Sequence, residues 1–287
     1  MSVLHEFTSK KDLSERNLTS SEIFSVFYHD IFEYPLTFSE LIKWTSKNPP
    51  KIKANIVYKN GFYLVERNNC LVYKREFRKR FSQKKVKIAE KVSKIISLVP
   101  TVRMVGISGS LAMKNAERES DIDIIIITKK GRLWTTRMVV YLILKLLGLP
   151  LRNPHSLKQK DRLCLNIWLD ESDLEWSKKE RNFYTAHEVL QIVPLVNKKM
   201  AYERFLQENK WAFDYWPNAV DSRLIKNNTL YTKLRNLNPI ESLAYKIQHS
   251  YMKSKITREV VKPTRAIFHP NNLSKKIIKR MLLTETD

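Results

Sequence analysis

Apolar residues recur along this 287-residue chain at two spacings, and each change of spacing marks an element. Ile23, Phe24, Phe27, Tyr28 and Ile31 fall on one helical face, which Ser20 or Ser21 can cap. Tyr34-Pro35-Leu36 breaks that helix. Thr37 then caps a second one over residues 38–45, with Glu40 placed to complete a capping box. Apolar runs on both sides of Asn60-Gly61, at residues 52–58 and 62–65, predict a hairpin. Across residues 74–98, Val86, Ala89, Val92, Ile95 and Ile96 form the single apolar face of a long, basic helix that Pro100 ends.

Beyond Pro100 the period drops to two. Residues 102–107 read as a strand, and 124–128 as a second one, entered through Asp121-Ile122-Asp123. After Gly131 a helix runs to Leu147. Residues 163–170 alternate again, with Leu163, Leu165, Ile167 and Leu169 on one face and Cys164, Asn166, Trp168 and Asp170 on the other. Residues 180–216 read as aromatic-rich helices, and 230–251 as another helix. The tail, 253–280, reads as either a nucleic-acid arm or a basic amphipathic helix.

This pattern predicts an α+β chain: a flexible start (1–18), a small N-terminal domain (19–73), a basic linker helix (74–99), a mixed-sheet core with flanking helices (100–175) and a helical, basic C-terminal region (176–287). The two cysteines, Cys70 and Cys164, give no disulfide framework, and a reducing, cytoplasmic setting is expected. The polar N-terminus carries no secretory signal, and the longest apolar run, 138–151, is cut by Lys145 and Gly148, so no membrane partner is expected. The net charge of +23 is concentrated: residues 67–103 hold twelve Lys/Arg against two acids, and 221–287 hold fourteen against five. That concentration favours a nucleic-acid partner over a uniformly solvated basic surface.

The chemistry-bearing residues gather in one stretch. Alternation puts Asp121 and Asp123 on the same strand face, about 7 Å apart, where two carboxylates can hold divalent cations. Upstream, Gly109 permits a tight turn, and Ser110 brings a hydroxyl and an N–H to the start of a short helix, an arrangement suited to phosphate.

Gly109-Ser110, a ten-residue interval and Asp121-x-Asp123, set between two apolar strands, resemble the DNA polymerase β-like nucleotidyltransferase superfamily, in particular its minimal members. The resemblance covers about residues 100–170. It implies Mg²⁺ or Mn²⁺ on Asp121 and Asp123, and a nucleoside triphosphate bound by Gly109 and Ser110, with Ser120, Lys114 and Arg137 as further contacts. It also implies a third carboxylate on the next strand. Asn166 stands mid-strand where that group is expected, and Asp170 lies near the strand end, so Asp170 serves, Asn166 serves weakly, or the set is incomplete. The N-terminal helices and hairpin resemble a winged helix, with residues 46–56 left to supply its third helix.

The resemblance implies transfer of a nucleoside monophosphate to an acceptor hydroxyl. RNA suits the basic segments, and a protein hydroxyl suits the compact core. A small molecule also suits the family but leaves the charge without a purpose. The alternative is a degenerate fold acting as a nucleic-acid-binding or regulatory module. His187 beside Glu188 offers an acid–base pair, although a lone histidine on an amphipathic helix is more often structural.

Overall fold

The computed structural model describes residues 13, 16–66, 70–153, 156, 158–225, 237–254, 256, 259–268 and 273–282. The expectations for residues 1–12, 226–236 and His269-Pro270 fall outside the described residues. Two capped helices open the chain, α1 (Ser20–Asp30) and α2 (Phe38–Lys43). Both have capping boxes, Thr37 with Glu40 as expected. At α1 the cap is Thr19, paired with Glu22, rather than either serine. A hairpin follows, β1 (Ile56–Lys59) and β2 (Phe62–Val65), with Asn60 and Gly61 both at positive φ in its turn. Residues 46–55 form neither helix nor strand, so the third helix of a winged helix is not there. Pro49 and Pro50 fall in that stretch, where they deny a helix its amide donors.

The long basic helix is α3 (Leu71–Ser97). It leads into β3 (Val102–Ile107), the one-turn α4 (Gly109–Ala112), β4 (Ile122–Thr128), α5 (Leu133–Leu146) and β5 (Leu163–Asp170). After these come α6 (Phe183–Leu190), β6 (Val193–Asn197), α7 (Ala201–Glu208), α8 (Pro239–Lys253), the hairpin β7 (Val260–Lys262) with β8 (Arg265–Ile267), and α9 (Leu273–Leu282). The strands form a mixed six-stranded sheet in the order β6-β3-β4-β5-β8-β7, in which only β4 and β5 run parallel.

Three strands of that sheet come from sequence read as helix or basic tail. Val193–Asn197 holds Pro194, which an edge strand tolerates because its outer side needs no donor. It closes on β3 at Gly106, where a Cβ would meet the Val193 carbonyl at 3.0 Å. The β7–β8 hairpin caps the other side of β5.

The sheet separates two apolar layers. On one face, Met104, Ile125, Ile127, Ile167 and Leu169 pack with α6, α7 and the N-terminal helices. On the other, Val105, Ile107, Ile124, Ile126, Leu165 and Trp168 pack with α3, α5 and Ala244 of α8. The expected faces of β5 therefore need correcting. Register jumps from Ile124–Leu165 to Ile125–Ile167, so Asn166 is an extra residue in a bulge. Past it the parity flips: Ile167 and Leu169 join the Asp123 face, and Trp168 joins the opposite one.

Candidate functional site

β4 carries Asp123 on the face it shares with Ile125 and Ile127, and Asp121 immediately precedes the strand. Oxygens from both carboxylates and the Sγ of Cys164 lie within 4.8 Å of one another. Cys164 is the parallel-strand partner of Asp123, so the ladder itself sets this contact. The turn into α4 presses on the same carboxylate. Gly109 sits at φ +60, and a Cβ there would lie 2.9 Å from Asp123 Oδ2. Backbone conformation and space thus both require glycine. The Ser108 amide donates to the Asp123 carbonyl at 3.1 Å, tying the turn to the strand.

The bulge gives Asn166 its role. Its Nδ2 donates to Asp123 Oδ1 at 2.6 Å, so the amide orients that carboxylate from the position where a third acid was expected. Arg152 approaches from the segment before β5, with Nε 3.3 Å from Asp121 Oδ2 and Nη1 donating to Cys164 Sγ at 3.2 Å. The loop ahead of Asp121 is held by buried Lys85 of α3, whose Nζ reaches the Ser120 carbonyl at 2.6 Å and Asp161 Oδ1 at 2.7 Å.

A cavity of about 570 Å³ opens beside Asp123. Ser108, Gly109, Ser110 and Ser120 line one side; Phe32 and Tyr34 come from the N-terminal region, and Tyr184 and Glu188 from α6. Its size suits a nucleotide-sized ligand. Burial, and then the Asp121 charge, push the Asp123 carboxyl up to about 7, against the pull of Arg152 and Cys164. Burial, and then the Asp123 charge, push Glu188 up to about 7, against the hydrogen bond from Gln191. These two acids therefore face one cavity, and the Asp123 charge raises the cost of ionising Glu188.

Of the residues expected at the site, Asp121, Asp123, Asn166, Gly109, Ser110 and Ser120 come together. Three do not. Asp170 pairs with Thr128 at the far end of the β4–β5 ladder, about 20 Å from Cys164 at roughly 3.3 Å per residue. Its Oδ2 accepts the Gly131 amide at 2.6 Å and its Oδ1 accepts Ser172 N at 2.9 Å, so it caps a loop. Arg137 lies on α5, across the sheet, bonded to Gln248 Oε1 at 2.6 Å and packed on the Tyr141 and Phe268 rings. Lys114 is exposed and does not line the cavity.

His187 and Glu188, neighbours in sequence, both border the cavity but bond to different partners. His187 Nε2 lies 3.2 Å from His29 Nε2 inside a cage that includes Trp44 and Trp216. His29 Nδ1 donates to the Ser25 carbonyl at 2.7 Å, which leaves its Nε2 to accept from His187. Burial lowers the pKa of His29 to about 4 and that of His187 well below the ordinary value, so both are neutral structural groups at physiological pH. Arg152 is the site residue that sequence reasoning missed. Cys164 was read only as part of the strand face it shares with Asn166, and Glu188 only as the partner of His187.

The donor set fits a hard divalent cation. Two carboxylates supply oxygen ligands, while burial and the Asp123 charge hold the Cys164 thiol up at about 12, so it brings no thiolate to attract a soft metal. Among the described residues no helix is long and apolar enough to cross a membrane. Comparison with protein-family models, with curated proteins and with solved structures returns no match to this chain.

Proposed function

We propose that this chain is a Mg²⁺- or Mn²⁺-dependent nucleotidyltransferase that moves a nucleoside monophosphate from a nucleoside triphosphate to an acceptor hydroxyl, with RNA favoured over protein and a small molecule third. One observation carries the reading: the Asp121 and Asp123 carboxylates converge, and Asp123 borders a nucleotide-sized cavity while the Gly109 turn presses against it, where a Cβ would lie 2.9 Å from Oδ2.

Asp121 and Asp123 would hold the cation, which supplies charge neutralisation on the phosphates and a lowered pKa at the attacking hydroxyl. Ser110 and the Gly109 backbone would receive the terminal phosphates. Arg152, paired with Asp121, would turn its guanidinium to the triphosphate, where planar donors suit phosphate oxygens. Asn166 fixes the rotation of the Asp123 carboxylate. Glu188, in the same cavity with a carboxyl near neutrality, is suited to accept the proton of the acceptor hydroxyl.

The test uses α-labelled ATP, CTP, GTP and UTP with Mg²⁺ and a lysate of the source cell. Label transferred by wild type and not by an Asp121→Asn/Asp123→Asn double variant supports the reading, and its sensitivity to ribonuclease or protease names the acceptor class. No transfer with any nucleotide removes the reading. A second reading, a degenerate nucleotide- or nucleic-acid-binding module, draws on Asn166 and Arg152 already engaging both aspartates. It predicts Mg²⁺-dependent nucleotide binding without transfer.

A further inference from the structure

The two faces of α3 treat their cations differently. Facing the protein, Arg75 pairs with Glu40, Arg78 with Glu33 and Glu117, and Lys85 with Asp161. Facing solvent, Arg80, Lys84, Lys87, Lys91 and Lys94 are all exposed, and none makes an ion pair among the described residues. Their spacing of four, three, four and three residues keeps them on one side of the helix, a cation every 4.5–6 Å along about 21 Å of axis. The same stripe runs on toward the N-terminus through two aromatic side chains, Phe77 at 59 % exposure and Tyr73 at 70 %. The Arg80 guanidinium lies 6.0 Å from the Phe77 ring centre.

We infer that this outward stripe binds a single-stranded polynucleotide, with its phosphates on the five cations and its unpaired bases on Phe77 and Tyr73. The cations match a linear polyanion in sign and geometry, and among the described residues none of the five is held in an ion pair, although the exposed acids Glu76 and Glu90 stand on the same helix. The aromatics select single strands, because a duplex hides the base faces that stack on such rings. A lipid surface is a poorer fit, since a membrane-bound helix buries its apolar face and that of α3 is already spent on Ala89, Val92 and Ile96 in the core. Binding stands without catalysis; only its use as an acceptor track rests on the proposed transfer reaction.

The experiment measures fluorescence anisotropy of a labelled mixed-sequence 20-mer, as single strand and as duplex, on the full chain across salt. Lys84→Gln/Lys87→Gln/Lys91→Gln is expected to lower the slope of log affinity against log salt by about 2 and to weaken binding roughly 100-fold at 0.1 M salt. Tyr73→Ala and Phe77→Ala are each expected to cost about tenfold for the single strand, with the slope unchanged and the duplex unaffected. All these positions are exposed, so the thermal midpoint is expected to hold. Lys145→Gln/Lys246→Gln, on other exposed helix faces, serves as the charge control. Equal losses in the control and the stripe variant would overturn the inference, as would unchanged binding in the stripe variant. So would binding only to phosphatidylserine vesicles and not to either 20-mer. Asp121→Asn/Asp123→Asn is expected to keep strand binding, so failure of transfer and failure of the stripe read out separately.

Discussion

The two ends of the parallel β4–β5 ladder each hold an acid, buried at Asp170 and half-buried at Asp123, and they use it in opposite ways. At one end Asp170 meets the amides of Gly131 and Ser172 and the Ser172 hydroxyl. Burial raises its carboxyl above the ordinary value, yet those donors pull it back and occupy both oxygens. At the other end Asp123 receives a side-chain donor from Asn166, faces Asp121, and borders a cavity. The first acid is consumed by local structure. The second keeps a high-energy charge that a cation or a proton would relieve. Burial alone therefore does not mark a functional carboxylate; the mark is burial without enough donors to satisfy it.

The largest expected contrast is in turnover. Asp123→Asn should reduce nucleotide transfer by at least about 10³-fold while retaining the fold, since it removes a charge proposed to hold the cation. Asp170→Asn should leave transfer per folded molecule intact and cost about 1–3 kcal/mol of stability, because the amides of Gly131 and Ser172 lose a charged acceptor. Transfer rates and thermal melts of the two variants check this, and loss of transfer in Asp170→Asn without loss of stability would invert the comparison.

The pH dependence of stability sharpens it. An acid raised to about 7 in the folded state keeps its proton there between about pH 4 and 7, where the unfolded chain has lost it. Stability should thus fall as pH rises through that window, by about 4 kcal/mol in total for Asp123. Asp123→Asn should flatten the slope in urea melts from pH 4.5 to 7.5. The histidine pair acts in the reverse sense. His29, lowered to about 4, gives stability that is present above about pH 6.5 and lost as pH falls toward 4, roughly 3 kcal/mol. His187→Phe should leave His29 without its ring partner while easing the burial of the cage, so the acid-side slope should shrink in the same melts.

Smaller effects test the geometry. Mg²⁺ at a hundredfold excess over its Kd should stabilise wild type by about 2.7 kcal/mol and leave Asp121→Asn/Asp123→Asn unmoved, as read by thermal melts. Gly109→Ala should cost about 1–2 kcal/mol through its left-handed backbone alone, and more where the new methyl crowds Asp123 Oδ2. Its transfer rate should fall further than its stability, because the methyl moves the carboxylate proposed to hold the cation.

Local signals carried a good part of this structure. Thr37 with Glu40, the Asn60-Gly61 turn, the single apolar face of α3 and the alternation of β3 and β4 are all encoded within a few residues, where backbone preference and periodicity act directly. Val193–Asn197 was not legible, because its strand character comes from the free edge of β3 beside Gly106 and not from its own composition. The site divides along the same line. Asp121 and Asp123 on one face, and Gly109 ahead of them, follow from sequence spacing alone.

What only tertiary structure decided is which remote groups meet them. The bulge at Asn166 is a property of strand pairing, and with it the Asn166 amide meets the Asp123 carboxylate while Asp170, at the other end of the ladder, lies about 20 Å away at roughly 3.3 Å per residue. Arg152 reaches Asp121, and Glu188 reaches the cavity, through segments separated from β4 by tens of residues, and local spacing does not say that either lies near the aspartates. Periodicity fixes which face a side chain takes; only the packing of distant elements fixes what lies opposite that face, and with it the charge and solvation that give a carboxylate its chemistry.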